Sequence, residues 1–301
     1  MSTALAEAER HRQSGGRTVQ RLGGHSGAEV ALCVGAQDRS FVRKTAAARA
    51  GNLRLRRQAL KQRLFAAQGL AFPPIYDIGL DSGGLAYFDM AYLPARTLAE
   101  TILHASPYDR AAVRAAIAGL LSLFGASAGA AIAPHLFRAK IGDIVEQSRR
   151  RPRLFPHAAA IAALAARLAD ADWSGIPQSP DHGDLTLENI LLTQDGGIVF
   201  IDCDVPWVSS FWLDLAKLLQ DLEGRWFLRD VAAPSVDALE RMTRLADDIR
   251  GVAEEMDSRL PPRLGQMAAL HLFRTLPYVR EGAHAAFACA AASRLLAESG
   301  S

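Results

Sequence analysis

The fold of this chain is decided by residues 181–204, Asp-His-Gly-Asp-Leu-Thr-Leu-Glu-Asn-Ile-Leu-Leu-Thr-Gln-Asp-Gly-Gly-Ile-Val-Phe-Ile-Asp-Cys-Asp. Two short apolar runs, 190–192 and 198–201, flank the segment 194–197, Gln-Asp-Gly-Gly, which is a strong turn signal. The stretch therefore predicts a β-hairpin.

The predicted hairpin carries polar side chains at both of its ends. Asp184 and Asn189 lie at its entrance, and Asp202 lies at its exit. Three oxygen-bearing side chains at one edge suit a hard cation such as Mg²⁺, which binds one or two carboxylates together with substrate phosphates. The sequence therefore predicts a magnesium site here.

The same residues resemble a known family. His182-Gly-Asp184, followed by Asn189 and by Ile201-Asp202, is similar to the catalytic and metal motifs of the protein-kinase-like fold. His-Gly-Asp in place of His-Arg-Asp resembles the aminoglycoside phosphotransferase and choline kinase branch. The His-Gly-Asp segment, taken together with Leu213–Asp221, is also similar to kinase-like proteins associated with bacterial surface polysaccharides. The resemblance implies an α+β fold of two lobes, a small antiparallel-sheet N-lobe and a mostly helical C-lobe.

The resemblance also implies an activity and a role for each motif residue. It implies an ATP-dependent, Mg²⁺-dependent small-molecule phosphotransferase acting on a hydroxyl of a sugar or sugar-containing acceptor. Asp184 would orient this hydroxyl and take its proton, and His182 would brace the loop. Asn189 and Asp202 would hold Mg²⁺, and Lys44, on a predicted strand, would hold the α- and β-phosphates of ATP.

The N-lobe is expected over residues 18–92, after a flexible tail at 1–17, and the C-lobe with the catalytic hairpin over 93–301. The segment 23–27, Gly-Gly-His-Ser-Gly, is either a phosphate-cradling loop or an ordinary hairpin turn. Its candidate nucleotide contacts are Gly24, Ser26 and Gly27. The resemblance places the hinge between the lobes at residues 91–95, where backbone groups of Ala91 and Leu93 would pair with adenine.

One position departs from the family pattern. A kinase pairs its strand lysine with a glutamate on the following helix, but this chain has no glutamate between Glu29 and Glu100. Gln58 is predicted to occupy that position and to accept a hydrogen bond from Lys44 without supplying a charge. This departure motivates an alternative function, a pseudokinase or nucleotide-binding regulatory protein.

The residues after Asp202 bear on the acceptor. Pro206-Trp207 follows closely, a helix is predicted from about Phe211, and no Ala-Pro-Glu motif is present. A protein kinase would have a longer segment here for docking its protein substrate. A small-molecule acceptor is therefore favoured over a protein.

Composition narrows the remaining classes. The 301 residues are 50% hydrophobic with a net charge of +2, which argues against a nucleic-acid binder. Three widely spaced cysteines predict neither a disulfide framework nor a metal motif. No signal peptide is visible, so a cytoplasmic protein is expected. The uncharged run 115–134 is interpreted as a buried helix, with a membrane helix as the alternative.

Basic residues form two clusters, on the predicted helix 52–68 and in the run 148–153. Each is interpreted as a solvated face, with peripheral contact to an anionic partner as the alternative. Arg274 and Arg280 are further candidates for holding an anionic acceptor.

Overall fold

The structure is a computed structural model that describes residues 17–22, 28–35 and 38–298. The strands of this part of the chain are β1 (Arg17–Leu22), β2 (Ala28–Val34), β3 (Ser40–Ala46), β4 (Ile75–Leu80), β5 (Ala86–Ala91), β6 (Ala95–Thr97), β7 (Ile190–Thr193) and β8 (Ile198–Phe200). Its helices are α1 (Asn52–Ala67), α2 (Leu98–Leu103), α3 (Arg110–Gly125), α4 (Pro134–Arg149), α5 (Ala158–Asp170), α6 (Phe211–Leu222), α7 (Val236–Met256), α8 (Pro261–Thr275) and α9 (Gly282–Glu298).

The chain divides into two compact units. The first, called here the sheet unit, runs to Thr97 and includes Asn189–Val205. The second, called here the helical unit, comprises Leu98–Glu188 and the chain from Pro206 onward. An antiparallel sheet in one unit and helices in the other confirm the predicted α+β class.

The sheet unit contains an antiparallel sheet of strand order β1-β2-β3-β5-β4 and a small sheet β6-β7-β8. Alternate residues of β3 face α1, where Val42 and Ala46 join Leu55 and Ala59 in one hydrophobic core. Lys44 has the same parity as these residues, which explains why it is only 1% exposed. Its neighbour Arg43 points to the opposite face and forms a bidentate ion pair with Asp89.

The predicted catalytic hairpin exists, but its strands group differently from the prediction. Its turn follows Thr193, and Gly196 adopts a φ of +84° that favours glycine. We expected the whole hairpin in the helical lobe, but β7 pairs with β6, and this pairing places both hairpin strands in the sheet unit. β6 is three residues long and was not predicted.

The helical unit is organised around α6. Every residue of α6 except Lys217 is buried, and the buried residues include the polar Gln220 and Asp221. The buried His271 of α8 fixes one end of α6 because its Nε2 lies 3.0 Å from the carbonyl oxygen of Leu213.

Two further expectations concern chain segments. Arg17 belongs to β1 rather than to the predicted tail, and residues 1–16 lie outside the described chain. The run 115–134 is not one helix, since α3 ends at Gly125 and α4 begins at Pro134; α3 is capped by Asp109, whose carboxylate accepts from Ala112 N–H. No helix in the described chain is long and apolar enough to cross a membrane.

Candidate active site

Lys44 and Asp202 form the centre of the polar site in the sheet unit. Lys44 Nζ lies 2.9 Å from Asp202 Oδ1, and Asp202 remains 28% exposed while Lys44 is buried. A buried ammonium without a partner is strongly destabilising, so Asp202 supplies the charge that lets Lys44 remain inside. A phosphate oxygen could supply the same charge. A bound phosphate could therefore replace Asp202 as the partner of Lys44.

Asp202 has an unusual backbone. Its φ is +59°, in the left-handed region that non-glycine residues rarely adopt and that aspartate and asparagine tolerate best. Such conformations persist only where the surrounding structure holds them. The neighbouring residues provide this hold: Cys203 is buried and donates to the carbonyl oxygen of Gln58, and Asp204 is bound by side chains of α1.

Asn189 is brought close to Asp202 by the hydrogen bonds between the two strands of the hairpin. The amide of Ile201 donates to the carbonyl oxygen of Asn189 at 3.0 Å, one residue before Asp202. The hairpin thus brings an aspartate and an asparagine to neighbouring positions at its open end, and their side-chain oxygens are of the kind that binds Mg²⁺, which usually completes its shell with phosphates and water. Among the described residues, no group of three or more His, Cys, Asp and Glu side chains could hold a metal ion.

Asp204 connects the hairpin to α1. Arg54 donates to both carboxylate oxygens, Gln58 Nε2 donates to Oδ1 at 2.9 Å, and Lys61 Nζ donates to the Asp204 carbonyl oxygen. These contacts define what we call the Asp204 clamp (Arg54, Gln58, Lys61 and Asp204). Asp204 follows Asp202 by two residues. The clamp therefore holds the backbone segment that carries Asp202, the candidate metal ligand.

The Asp204 carboxylate is held ionised by these contacts. Burial would raise its pKa, but the hydrogen bond and charge of Arg54, with the Gln58 amide, outweigh burial and lower the pKa from 3.8 to about 2. A carboxylate with a depressed folded-state pKa stabilises the fold above its unfolded pKa. This stability is lost as the pH falls through the folded value.

We therefore expect Asp204→Asn to lower the free energy of unfolding by about 2 kcal/mol at pH 7 and by much less at pH 2. The measurement is urea unfolding across this pH range, with the exposed Asp170→Asn as a control. An equal loss at both pH values would contradict the charge-based role of Asp204.

The structure corrects the prediction for Gln58. Its side-chain amide donates to Asp204 and does not accept from Lys44, whose ion-pair partner is Asp202. Gln58, at the position expected for the family glutamate, therefore binds the carboxylate of Asp204 and not Lys44. Sequence reasoning missed this because the two residues are 146 positions apart.

Gln58→Glu is accordingly expected to destabilise the protein by about 1–3 kcal/mol, because two carboxylates would then face each other at the clamp. Thermal unfolding of this variant should be compared with that of Gln68→Glu, the same change at an exposed helix end. Increased stability and turnover in Gln58→Glu would show instead that the new carboxylate pairs with Lys44.

In the helical unit, α6 holds the loop that carries His182 and Asp184. The Asp214 carboxylate accepts from the backbone N–H groups of His182, at 2.5 Å, and Gly183, at 2.9 Å. Gly183 has a φ of +88°, which explains the glycine. Further along α6, Asp221 accepts from Leu187 N–H at 3.0 Å, and its burial raises its pKa to about 7.

Within this loop, Asp184 is paired with Lys217. Lys217 Nζ lies 3.2 Å from Asp184 Oδ1, and the Asp184 side chain is 44% exposed. The amide of Asp184 also points to His182 Nδ1, at 3.4 Å. Lys217 was not predicted as a site residue, although it stands three positions after the recognisable Asp214, one helical turn away.

Lys217→Met should lower kcat by about 10²-fold without changing KM for ATP, because Asp184 would lose the contact that orients it. Lys217→Arg, which keeps the charge, should restore part of the loss. The measurement is steady-state kinetics on an identified acceptor. Equal losses for both variants would indicate that Lys217 serves the packing of α6 alone.

The remaining candidates are the predicted nucleotide contacts and the two arginines predicted to hold an anionic acceptor. Gly24, Ser26 and Gly27 lie outside the described residues. Ala91 N–H donates to the Pro74 carbonyl oxygen at 3.0 Å, so this amide is already engaged, while Leu93 lies in the short segment between β5 and β6. Arg274 contacts His271 Nδ1 at 3.2 Å, and Arg280 is exposed.

Comparison with known proteins identifies what the chain is similar to. The model of the APH family, described as the phosphotransferase enzyme family, matches residues 18–249. A search of curated proteins finds no significant match. The match to the family model confirms the predicted resemblance at the level of the family.

Solved structures share the fold at low identity. A thermostable mutant of aminoglycoside phosphotransferase APH(4)-Ia, in a ternary complex with AMP-PNP and hygromycin B, has a TM-score of 0.64 at 17% identity, covering 100% of this chain and 99% of the other. A putative fructosamine-3-kinase from Thermobifida fusca has a TM-score of 0.58 at 18% identity, covering 99% of both chains. A glucosamine kinase bound to glucosamine, ADP and inorganic phosphate has a TM-score of 0.52 at 14% identity, covering 94% and 93%.

Proposed function

This chain belongs to the phosphotransferase enzyme family, and on that premise we propose that it is a kinase that uses ATP to phosphorylate a hydroxyl of a sugar or sugar-containing molecule. The observation that carries the proposal is the buried Lys44 held at 2.9 Å by Asp202. A buried lysine paired with a partly exposed carboxylate, on a backbone fixed in a rare conformation, is typical of a site prepared for a charged ligand.

The sheet unit would supply the nucleotide contacts. Lys44 would bind the α- and β-phosphate oxygens, and Asp202 and Asn189 would hold Mg²⁺. The bound ion would neutralise charge on the β- and γ-phosphates. The Asp204 clamp would keep Asp202 in place whether or not the nucleotide is present.

The helical unit would supply the residues that act on the acceptor. The hydroxyl oxygen of the acceptor forms a bond to the γ-phosphorus while the bond to the β,γ-bridging oxygen breaks and ADP leaves. Asp184 orients the hydroxyl and takes its proton as the new bond forms. Asp214 fixes the loop through two backbone N–H groups, and Lys217 orients the Asp184 carboxylate.

The sugar acceptor draws support from proteins of the same fold. The APH(4)-Ia structure holds hygromycin B, and the glucosamine kinase structure holds glucosamine with ADP. The short segment between Asp202 and α6 also favours a small acceptor over a protein. Because ATP is the donor, we place the reaction in the cytoplasm.

The alternative is a nucleotide-binding regulatory protein without turnover, which the missing helix glutamate motivates. The Asp204 clamp bears on this alternative because it anchors α1 to the hairpin without a glutamate. Turnover distinguishes the two functions, since a regulator would bind Mg-ATP but release no ADP beyond background.

The test is an ADP-release screen of the full chain against simple sugars, amino sugars, aminoglycosides and hydroxyl-bearing peptides. We expect turnover with at least one sugar-containing acceptor and none with peptides. Mass spectrometry of that acceptor should show one added phosphate. Binding of Mg-ATP without turnover on any acceptor would favour the regulatory alternative, and phosphorylation of peptides alone would overturn the acceptor class.

A further inference from the structure

Helix α1 carries apolar side chains on its exposed side as well as on its buried side. The buried side contributes Leu55 and Ala59 to the hydrophobic core, while three leucines on the opposite side are more than half exposed, at 55–61%. These leucines, called here the leucine stripe, are Leu53, Leu60 and Leu64. Single exposed leucines are ordinary on protein surfaces, but three that share one exposed face of a helix need an explanation.

The helix geometry aligns the leucine stripe. At 3.6 residues per turn, spacings of seven and eleven residues place the three side chains within an arc of about 40°. Exposed arginines lie on both sides of the stripe, within about 80° of its centre. These flanking arginines are Arg56, Arg57 and Arg63.

The arginines of α1 divide by function. Arg54 and Lys61 are engaged with Asp204, as described above. The flanking arginines, by contrast, form no hydrogen bond or ion pair with any described residue. α1 contains no acidic residue over Asn52–Ala67, so the exposed face is purely cationic and apolar.

We propose that this face of α1 binds an anionic lipid surface, with the leucine stripe inserted among the headgroups and the flanking arginines on lipid phosphates. A stripe of apolar side chains bordered by basic ones is the pattern by which helices lie in a membrane interface. A second copy of α1 is a poor partner because it would bring arginines together without any carboxylate.

The test is cosedimentation of the full chain with vesicles of phosphatidylcholine alone and of phosphatidylcholine mixed with phosphatidylglycerol. We expect binding to the mixed vesicles only, weakened by salt. Removing each flanking arginine should weaken partitioning roughly fivefold. Replacing each leucine by serine should weaken it about tenfold.

Two matched controls keep the test specific. The triple variant Arg149→Gln, Arg150→Gln, Arg151→Gln removes the same charge from another exposed basic run and should bind as the wild type does. Leu123→Ser changes an exposed leucine on α3 and should likewise have no effect. Melting temperatures of all variants should match the wild type, since the changed side chains are exposed.

Four results would overturn the proposal. One is absence of binding to the mixed vesicles, and another is binding that persists after the leucine stripe is replaced. The third is a concentration-dependent oligomer, measured by light scattering, that the leucine replacements abolish while vesicle binding is unaffected; this would assign the face to a second copy. The fourth is binding to polyglutamate that is as strong as vesicle binding and depends on the leucines. This result would assign the face to an acidic protein partner.

Discussion

Asp184→Asn is expected to lower phosphoryl transfer by about 10²–10⁴-fold while leaving the binding of Mg-ATP nearly unchanged. The amide cannot take the proton of the acceptor hydroxyl, and it replaces a charged partner of Lys217 with a neutral one. The loop itself should keep its shape, because Asp214 holds its backbone independently of the Asp184 side chain. The measurement is kcat on an identified acceptor together with nucleotide affinity by calorimetry.

Glu188→Gln is the matched control, since it changes an exposed carboxylate to an amide in the same loop. It should leave both kcat and nucleotide affinity close to the wild-type values. If Asp184→Asn lost nucleotide binding together with transfer, the assignment of Asp184 to the acceptor step would be wrong.

Asp202→Asn is expected to abolish the Mg²⁺-dependent part of ATP binding and to lower turnover by about 10²–10³-fold. It should also destabilise the ligand-free protein by about 3–5 kcal/mol, because Lys44 would remain buried without its countercharge. Asparagine is the appropriate replacement because it tolerates the φ of +59° at this position. Unfolding and nucleotide titration, each with and without Mg²⁺, measure the two effects separately.

The control for Asp202→Asn is Asp195→Asn, in the exposed turn of the same hairpin. It should leave the Mg²⁺ dependence of ATP binding intact. A protein with Asp202→Asn that still bound ATP more tightly with Mg²⁺ would remove Asp202 from the set of metal ligands.

Local signals in the sequence predicted the catalytic hairpin and the strand lysine. The Gly-rich turn after β7 determines the hairpin, and side-chain alternation along β3 places Lys44 and Arg43 on opposite faces. These features depend on residues close together in sequence.

The features that the sequence did not predict depend on contacts between distant residues. The Asp204 clamp joins α1 to a strand end about 150 residues later, and Gln58 was therefore assigned the wrong partner. Lys217 sits in a helix whose other residues are buried, and the sequence does not distinguish it from a surface lysine. β6 has three residues and becomes a strand only through its pairing with β7. Long-range register, not local propensity, decides each case.

The most direct test of a Mg-ATP site at Lys44 and Asp202 is the melting temperature of the wild-type chain with ATP, measured with and without Mg²⁺. At about 100 times the dissociation constant, a ligand should stabilise the folded state by about 2.7 kcal/mol. We expect an increase in melting temperature that requires Mg²⁺ and disappears in Asp202→Asn. No increase with ATP and Mg²⁺ together would contradict it, because a kinase of this family must bind its donor.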